Sequence, residues 1–275
     1  MFSKLLKYDT KSVFKYWWIG AVASLLIAVF GGVCIQIVDI DYTSYEIIPI
    51  LGGIGLVFSL IGMYLLPILT EILVLVRFYK HFFTDEGYLT FTLPVKRTSL
   101  LDSKIATYLI FGVSTIFVMI ADVLTMLAIG IPEEFFSGRF WTYIGELFSE
   151  IYEALGIYGA PYTVLAVLIM LATVISSTLL VYVCITLASA ITKRHKILLS
   201  IGIYYGVSMV VSGLVQIFMY GGVSTVITMV TGLDEALAKA AIMFMMIGVL
   251  GLLTVFIAAL YFVELYLLDK RLNLE

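Results

Sequence analysis

Long apolar runs separated by short polar segments dominate the sequence. A hydrocarbon core of ~30 Å needs about 20 apolar residues in a helix, so runs of this length predict transmembrane spans. Six runs are long enough, at roughly 17–38, 47–76, 105–131, 161–192, 197–222 and 240–268. The pattern predicts an all-α integral membrane protein with six transmembrane helices in a single transmembrane domain, residues 1–275.

Proline and glycine predict irregularities in two of these spans. Pro67 lies inside the second run, where its ring and missing N–H should bend the helix. Gly221 and Gly222 are predicted to end the fifth run, which leaves residues 223–239 as an outer linker or a re-entrant segment.

Composition and charge narrow the class of protein further. Hydrophobic residues make up 62% of the chain and charged residues only 13%, whereas an ordinary soluble protein has roughly 25% charged residues. The formal net charge of −3 gives no electrostatic reason to expect nucleic acid as a partner. The lipid bilayer is the predicted environment.

The distribution of Lys and Arg predicts the orientation in the membrane. With the N-terminus in the cytoplasm, only Arg139 and Lys239 fall outside. The other Lys and Arg residues all lie inside: Lys4, Lys7, Lys11, Lys15, Arg77, Lys80, Lys96, Arg97, Lys104, Lys193, Arg194, Lys196, Lys270 and Arg271. Both chain ends are therefore expected in the cytoplasm.

The first ~17 residues have the pattern of an amphipathic helix that lies on the inner leaflet. Lys4, Lys7, Lys11 and Lys15 form one basic stripe. The opposite face is apolar, with Asp9 as its one exception, and consists of Phe2, Leu5, Leu6, Val13 and Trp17. A solvated lead-in that only sets the topology is the alternative.

A second amphipathic helix is predicted outside, between the third and fourth spans. Its apolar stripe comprises Phe140, Trp141, Ile144, Leu147, Phe148, Ile151, Tyr152 and Leu155. Glu146, Glu150 and Glu153 oppose this stripe. Because an acidic face binds anionic lipid poorly, we expect a lid packed on the outer face of the protein.

Residue patterns for enzyme chemistry are lacking. No Gly precedes a Lys directly, so the chain has no glycine-rich phosphate loop and no ATP-binding motif. His81 and His195 have no second His or Cys at metal-ligand spacing. Cys34 and Cys184 are predicted near opposite sides of the membrane, too far apart for a disulfide. We therefore predict no enzyme activity, no cofactor and no metal.

Three acids fall within the predicted spans. A charge at mid-membrane costs at least ~2.5 kcal/mol, so such residues usually face protein or water. Glu71 and Glu264 lie near the inner ends of their spans, while Asp122 lies deeper. Asp122 is therefore the candidate for lining a transport pathway, with a structural hydrogen bond as the alternative.

The segment 77–104 between the second and third spans combines cations with many aromatic residues. It holds five of the chain's 16 Lys and Arg. We expect the second span to continue as a helix through Phe83, with a turn at 84–87 in which Gly87 is available for a positive φ. Ser99-Leu100-Leu101-Asp102 has the pattern of a capping box at the start of the third span. Aromatic side chains in such a loop predict a protein partner, and an interfacial aromatic belt is the alternative.

The run Phe83-Thr84-Asp85-Glu86-Gly87-Tyr88-Leu89-Thr90-Phe91-Thr92-Leu93-Pro94, preceded by Arg77-Phe78-Tyr79-Lys80, resembles a cytoplasmic loop of a known family. The family comprises the permease subunits of type-2 ATP-binding-cassette exporters from Gram-positive, clostridia-like bacteria. The resemblance implies a bacterial cell membrane, a coupling helix that docks on a separately encoded ATPase, and a homodimer or heterodimer of permeases. The coupling residues it implies are Phe78, Tyr79, Phe82, Phe83, Asp85, Glu86, Gly87, Tyr88, Leu89 and Phe91.

Two functions from different classes follow. The first is the permease of an ATP-driven exporter, whose cargo would be hydrophobic or amphipathic, such as a lipid, peptide or drug. The second is a stand-alone secondary transporter or channel that uses Asp122 or Glu264.

Overall fold

The computed structural model describes residues 2–39, 47–84, 87, 95–192, 195–230 and 235–270, which are helical and contain no β-strand. Six helices within these residues are long and apolar enough to cross a membrane, which confirms the six-span prediction. The long helices are α1 (Phe2–Asp39), α2 (Ile47–Phe83), α3 (Arg97–Gly130), α6 (Gly159–Ile191), α7 (Lys196–Val230) and α8 (Glu235–Lys270). The short helices are α4 (Pro132–Phe136) and α5 (Arg139–Leu155), and a 3₁₀ turn (Gly156–Tyr158) precedes α6.

The N-terminal segment is continuous with the first span. Helix α1 has 38 residues, so at 1.5 Å per residue it is about 57 Å long, against a hydrocarbon core of ~30 Å. No boundary separates the predicted interfacial helix from the span. The basic stripe extends along the exposed face of α1, while Asp9, Val13 and Trp17 are buried on the other.

Other helix boundaries also differ from the prediction. Helix α7 continues through Gly221 and Gly222 to Val230, so the predicted end at these glycines is wrong. A helical glycine costs only about 1 kcal/mol, less than the unsatisfied backbone that a break would leave in an apolar run. Helix α3 begins at Arg97, before the predicted capping box, and the Lys96 carbonyl accepts the Ser99 N–H at 3.0 Å. Helix α2 includes Pro67 in its interior.

The chain divides into two compact units. The first unit comprises Met1–Phe78 and Asp102–Glu150, and the second comprises Tyr79–Leu101 and Ile151–Glu275. The first unit therefore holds α1, α4 and most of α2, α3 and α5. The second holds α6, α7 and α8 together with the segment that joins α2 to α3.

Glycines allow close approach of the helices in the first unit. A Cβ on Gly32 of α1 would lie 2.8 Å from the Met126 carbonyl oxygen of α3, and one on Gly31 would lie 2.5 Å from Ser59 Oγ of α2. Such contacts are typical of membrane helices, because small residues let backbones pack together without a hydrophobic driving force. A buried cluster of α1, α2 and α3 side chains completes this core: Val13, Trp17, Ala21, Leu66, Val74 and Phe111.

Helix α6 is the packing centre of the second unit. It packs along α8 and also contacts α7. Near its start the Tyr162 hydroxyl donates a hydrogen bond to the Lys239 carbonyl of α8, and near its end the Thr186 hydroxyl donates one to Glu264. Its buried residues include Leu179, Tyr162, Tyr182 and several small side chains. Many large apolar side chains elsewhere are exposed, as expected for helices surrounded by lipid.

Helix α5 forms where the sequence predicts an amphipathic helix, but it is not a packed lid. None of its residues is buried, and Leu147 and Phe148 remain 53% and 58% exposed. The expectation that its apolar stripe packs on the protein is therefore wrong for the described part of this chain. An amphipathic pattern specifies that one face avoids water, but it does not specify what covers that face.

Candidate functional site

A buried ionic cluster around Asp9 joins the end of α2 to the first turns of α3, on either side of the connecting segment. Asp9 Oδ1 lies 2.6 Å from Lys104 Nζ of α3 and 3.3 Å from Arg77 Nε of α2. Ser103 Oγ donates a hydrogen bond to Asp9 Oδ2 at 3.2 Å. Asp9 and Lys104 are 1% and 2% exposed, so this pair is shielded from water. One residue of the N-terminal helix therefore contacts the chain both before and after the loop.

The sequence held a signal for this cluster. Asp9 was the single acid on the apolar face of the predicted N-terminal helix. A buried carboxylate needs a cation or several hydrogen bonds, so an acid on an inward face predicts a partner elsewhere. Periodicity alone could not identify the partners, because Arg77 and Lys104 lie 68 and 95 residues away.

A second ionic contact fixes the end of the same segment in the second unit. The Arg97 guanidinium lies 2.7 Å from Asp269 Oδ1 of α8 and also donates a hydrogen bond to the Leu268 carbonyl. Both charged side chains are substantially exposed, so the ion pair contributes little stability by itself. The contact connects the start of α3 to the end of α8.

The aromatic residues at the end of α2 do not form an exposed surface. Phe78 and Phe82 are fully buried, and Phe83 is 9% exposed. Tyr79 is partly buried, and its ring centroid lies 5.9 Å from that of Phe83. The premise that these aromatics are exposed anchors is wrong for the three phenylalanines, because the apolar face of α2 continues past the predicted span and packs on the chain itself.

Gly87 is constrained by a close contact. Its N–H donates to the Thr84 carbonyl at 2.7 Å, as expected for a turn. Its φ is not positive, since Gly138 and Gly156 are the positive-φ glycines of the described residues. A Cβ on Gly87 would lie 2.6 Å from the Phe82 carbonyl oxygen. Gly87 therefore does not use the positive φ that is available to it, and close approach of backbone atoms provides a separate reason for glycine here.

The remaining predicted coupling residues, Asp85, Glu86, Tyr88, Leu89 and Phe91, lie outside the described residues.

The intramembrane acids are placed in different units. Asp122 of the first unit is fully buried, and neither carboxyl oxygen has a hydrogen-bond partner in the described part of the chain. The Ser24 hydroxyl lies beside the carboxyl but donates its hydrogen bond to the Ala21 carbonyl at 2.9 Å. Glu264 of the second unit is also fully buried and accepts a 2.7 Å hydrogen bond from Thr186. Glu71 is only partly buried.

A hydrogen-bonded triad links α1, α2 and α3, and no pattern in the sequence indicated it. Trp17 Nε1 of α1 lies 3.1 Å from both Thr70 Oγ1 of α2 and Thr115 Oγ1 of α3. The two threonine oxygens are 2.9 Å apart. All three side chains are buried. Threonine recurs throughout membrane helices, so its type alone does not reveal an interhelical bond.

The cysteines and histidines do not gather into a disulfide or a metal site among the described residues. Cys34 and Cys184 are buried free thiols in different units. His81 is partly buried and His195 is exposed. Within the described ranges, no three His, Cys, Asp or Glu side chains gather at a possible metal site.

The chain matches no family model, no curated protein and no solved structure. The resemblance of residues 77–94 to an exporter loop therefore stays a prediction, and the functional argument depends on the contacts described above.

Proposed function

We propose that this chain is the permease subunit of an ATP-driven exporter in a bacterial cell membrane. Six helices capable of spanning a membrane provide the framework for moving a hydrophobic or amphipathic cargo. The energy comes from a separate ATP-binding subunit, since this chain has no phosphate-binding loop. The N- and C-termini lie in the cytoplasm, as the distribution of cations indicates.

The contacts of Arg77, Arg97 and Lys104, which flank residues 85–94, are the observation that supports this proposal best. Asp9 links Arg77 to Lys104 in the first unit, and Arg97 contacts Asp269 in the second. A segment whose roots are fixed to several helices can pass a displacement from a bound partner into the membrane. A solvated loop that only connected two spans would not need a buried ion pair at its root.

The buried phenylalanines change the role assigned to the end of α2. Phe78, Phe82 and Phe83 hold the helix end against the chain, so they support the segment but do not form the docking surface. The proposed ATPase contact is accordingly confined to residues 84–96. Two permease subunits, identical or different, pair over two ATPases in the proposed assembly.

Copurification tests this function. The tagged chain would be extracted from its native membranes in mild detergent, and its partners would be identified by mass spectrometry. We expect an ATP-binding subunit and ATP hydrolysis in the complex. The chain purified alone in stringent detergent should hydrolyse no ATP beyond an empty-detergent control. Substantial hydrolysis by the isolated chain would contradict the proposal.

A second candidate function is a stand-alone secondary transporter. The buried Asp122, whose oxygens lack hydrogen-bond partners within the described chain, favours this alternative, because buried carboxyls often mark proton or ion pathways. The two functions are distinguished in vesicles that contain the chain alone. Cargo flux driven by an ion gradient and abolished by Asp122→Asn would support the second function and overturn the first.

A further inference from the structure

Helix α5 carries an apolar face that the described residues of this chain leave uncovered. At the helical repeat of 3.6 residues, the eight residues of its apolar stripe, from Phe140 to Leu155, occupy an arc of about 140°. Glu146, Glu150 and Glu153 lie on the opposite side. No residue of α5 is buried, and Trp141, Phe148 and Ile151 are between 44% and 58% exposed. A face of this size would be unfavourable in water.

The backbone turns at both ends of α5. Gly138, directly before the helix, has a φ of +84°, and Gly156, directly after it, has a φ of +57°. These are the positive-φ positions of the described residues, and such a residue commonly ends a helix. The helix is interrupted at each of these glycines, so α5 is not continuous with α4 before it or with α6 after it.

Short connections keep α5 next to the ends of two spans. Helix α3 ends at Gly130, and only the five-residue helix α4 and two short joints precede Arg139. At the other end the Tyr152 ring packs against Gly159, the first residue of α6: a Cβ on Gly159 would lie 2.9 Å from the ring. With both ends attached to membrane spans, α5 must stay near the membrane surface.

Aromatic rings cluster where α4 meets α5. The centroids of Phe135 and Phe140 are 5.4 Å apart with nearly parallel rings, and Trp141 contacts both at 5.4 and 5.2 Å. Phe136 lies 5.3 Å from Phe135 and is 75% exposed. Tryptophan is enriched at the membrane–water boundary, where its ring can enter lipid while its N–H meets water, and Trp141 fits this position with the apolar rings of Phe135 and Phe140 beside it.

We propose that α5 lies flat in the interface of the lipid bilayer, with its apolar face in the lipid and its glutamates in water. The attachment is driven by the apolar face, because the acidic face would be repelled by an anionic surface. This membrane contact is separate from the transport function, since it requires neither an ATPase nor a cargo.

Collision measurements on spin labels test the orientation of α5. Single cysteines would replace Ile144, Phe148 or Ile151 on the apolar face, and Glu146, Glu150 or Glu153 on the acidic face. Each full-length variant would be labelled with a nitroxide and reconstituted in phosphatidylcholine vesicles. The unsubstituted chain controls for labelling of the two buried native cysteines. A label at Phe117, 68% exposed on α3, provides the lipid-facing reference.

We expect apolar-face labels to collide with oxygen more than with a water-soluble nickel chelate, by a ratio about tenfold above that of acidic-face labels, since oxygen concentrates in lipid. Equal ratios on both faces would place α5 in water and overturn the proposal. Protection of the apolar face from both reagents would show that protein covers it, which also overturns the proposal. Neither result would affect the ATPase test, so the two proposals fail independently.

Discussion

Lys104 and Asp9 form a 2.6 Å ion pair between α3 and α1, and both side chains are withdrawn from water. Arg77 of α2 approaches the same carboxylate at 3.3 Å, so one acid is shared by two cations. The three residues are therefore not equivalent. Removing Asp9 leaves two cations without their common acid, whereas removing Lys104 leaves Asp9 with Arg77.

The first prediction concerns this asymmetry. Asp9→Ala should lower the free energy of unfolding by about 1.5–3 kcal/mol, because it removes the charge-assisted hydrogen bond between Asp9 and the buried Lys104. Lys104→Met should cost less, since Arg77 still neutralises Asp9. The double variant Asp9→Ala/Lys104→Met should cost less than the sum of the two single variants, because the contact between the two residues can be lost only once. Chemical denaturation in detergent micelles measures all three, and strictly additive effects would contradict a direct interaction.

The second prediction concerns the Trp17–Thr70–Thr115 triad. Thr115→Val should destabilise the chain by about 0.6–1.7 kcal/mol, the range found for hydrogen bonds between membrane helices. Thr125→Val is the matched control on the same helix, because within the described residues Thr125 bonds to the Ala121 carbonyl of its own helix, 2.7 Å away, and to no other helix. Equal denaturation midpoints for the two variants would show that the triad contributes nothing.

A third prediction concerns the close approach of α1 to α3. Gly32→Ala should destabilise the first unit by about 1–3 kcal/mol, since the new methyl would lie 2.8 Å from the Met126 carbonyl oxygen. Gly112→Ala on α3 meets nothing within 4 Å and should be neutral or stabilising by up to ~1 kcal/mol. Thermal unfolding in the same detergent compares them. If Gly112→Ala proves the more damaging variant, the assigned packing is wrong.

The fourth prediction links the loop to the proposed partner. Gly87→Ala should reduce ATPase copurification about tenfold, equivalent to ~1.4 kcal/mol, because its Cβ would collide with the Phe82 carbonyl and displace the segment. Membrane insertion should be unchanged. Gly145→Ala, in open space on α5, is the control. Normal complex formation by Gly87→Ala would remove this segment from the contact.

The fifth prediction concerns topology. Single cysteines at Lys4, Lys96 and Lys270 should resist a membrane-impermeant thiol reagent in intact cells, and one at Glu150 should react. The native cysteines are buried, so background labelling should be low. Labelling of Lys96 from outside would overturn the cytoplasmic assignment of the loop.

Parts of the candidate site could be anticipated from the sequence, while other parts could not. The density of cations and aromatics at 77–104 singled out the segment, but Phe78 and Phe82 were predicted to face a partner and are buried instead. Local composition does not indicate whether an aromatic at a helix end packs on its own chain. The sequence showed that Asp9 interrupts the apolar face of the N-terminal helix, but it did not show that Arg77 and Lys104 are its partners.

The sequence by itself determined the helices that can span the membrane, because a bilayer imposes a minimum apolar length and allows few backbone structures. It also indicated a one-sided pattern over 140–155, where helix α5 forms, because such a pattern is a local property. Only the tertiary structure decided that Asp9 joins Arg77 and Lys104, that Trp17 joins two threonines, and that the described residues leave α5 uncovered. These contacts join residues far apart in the chain, and the helical repeat contains no information about which distant helix packs against a given face.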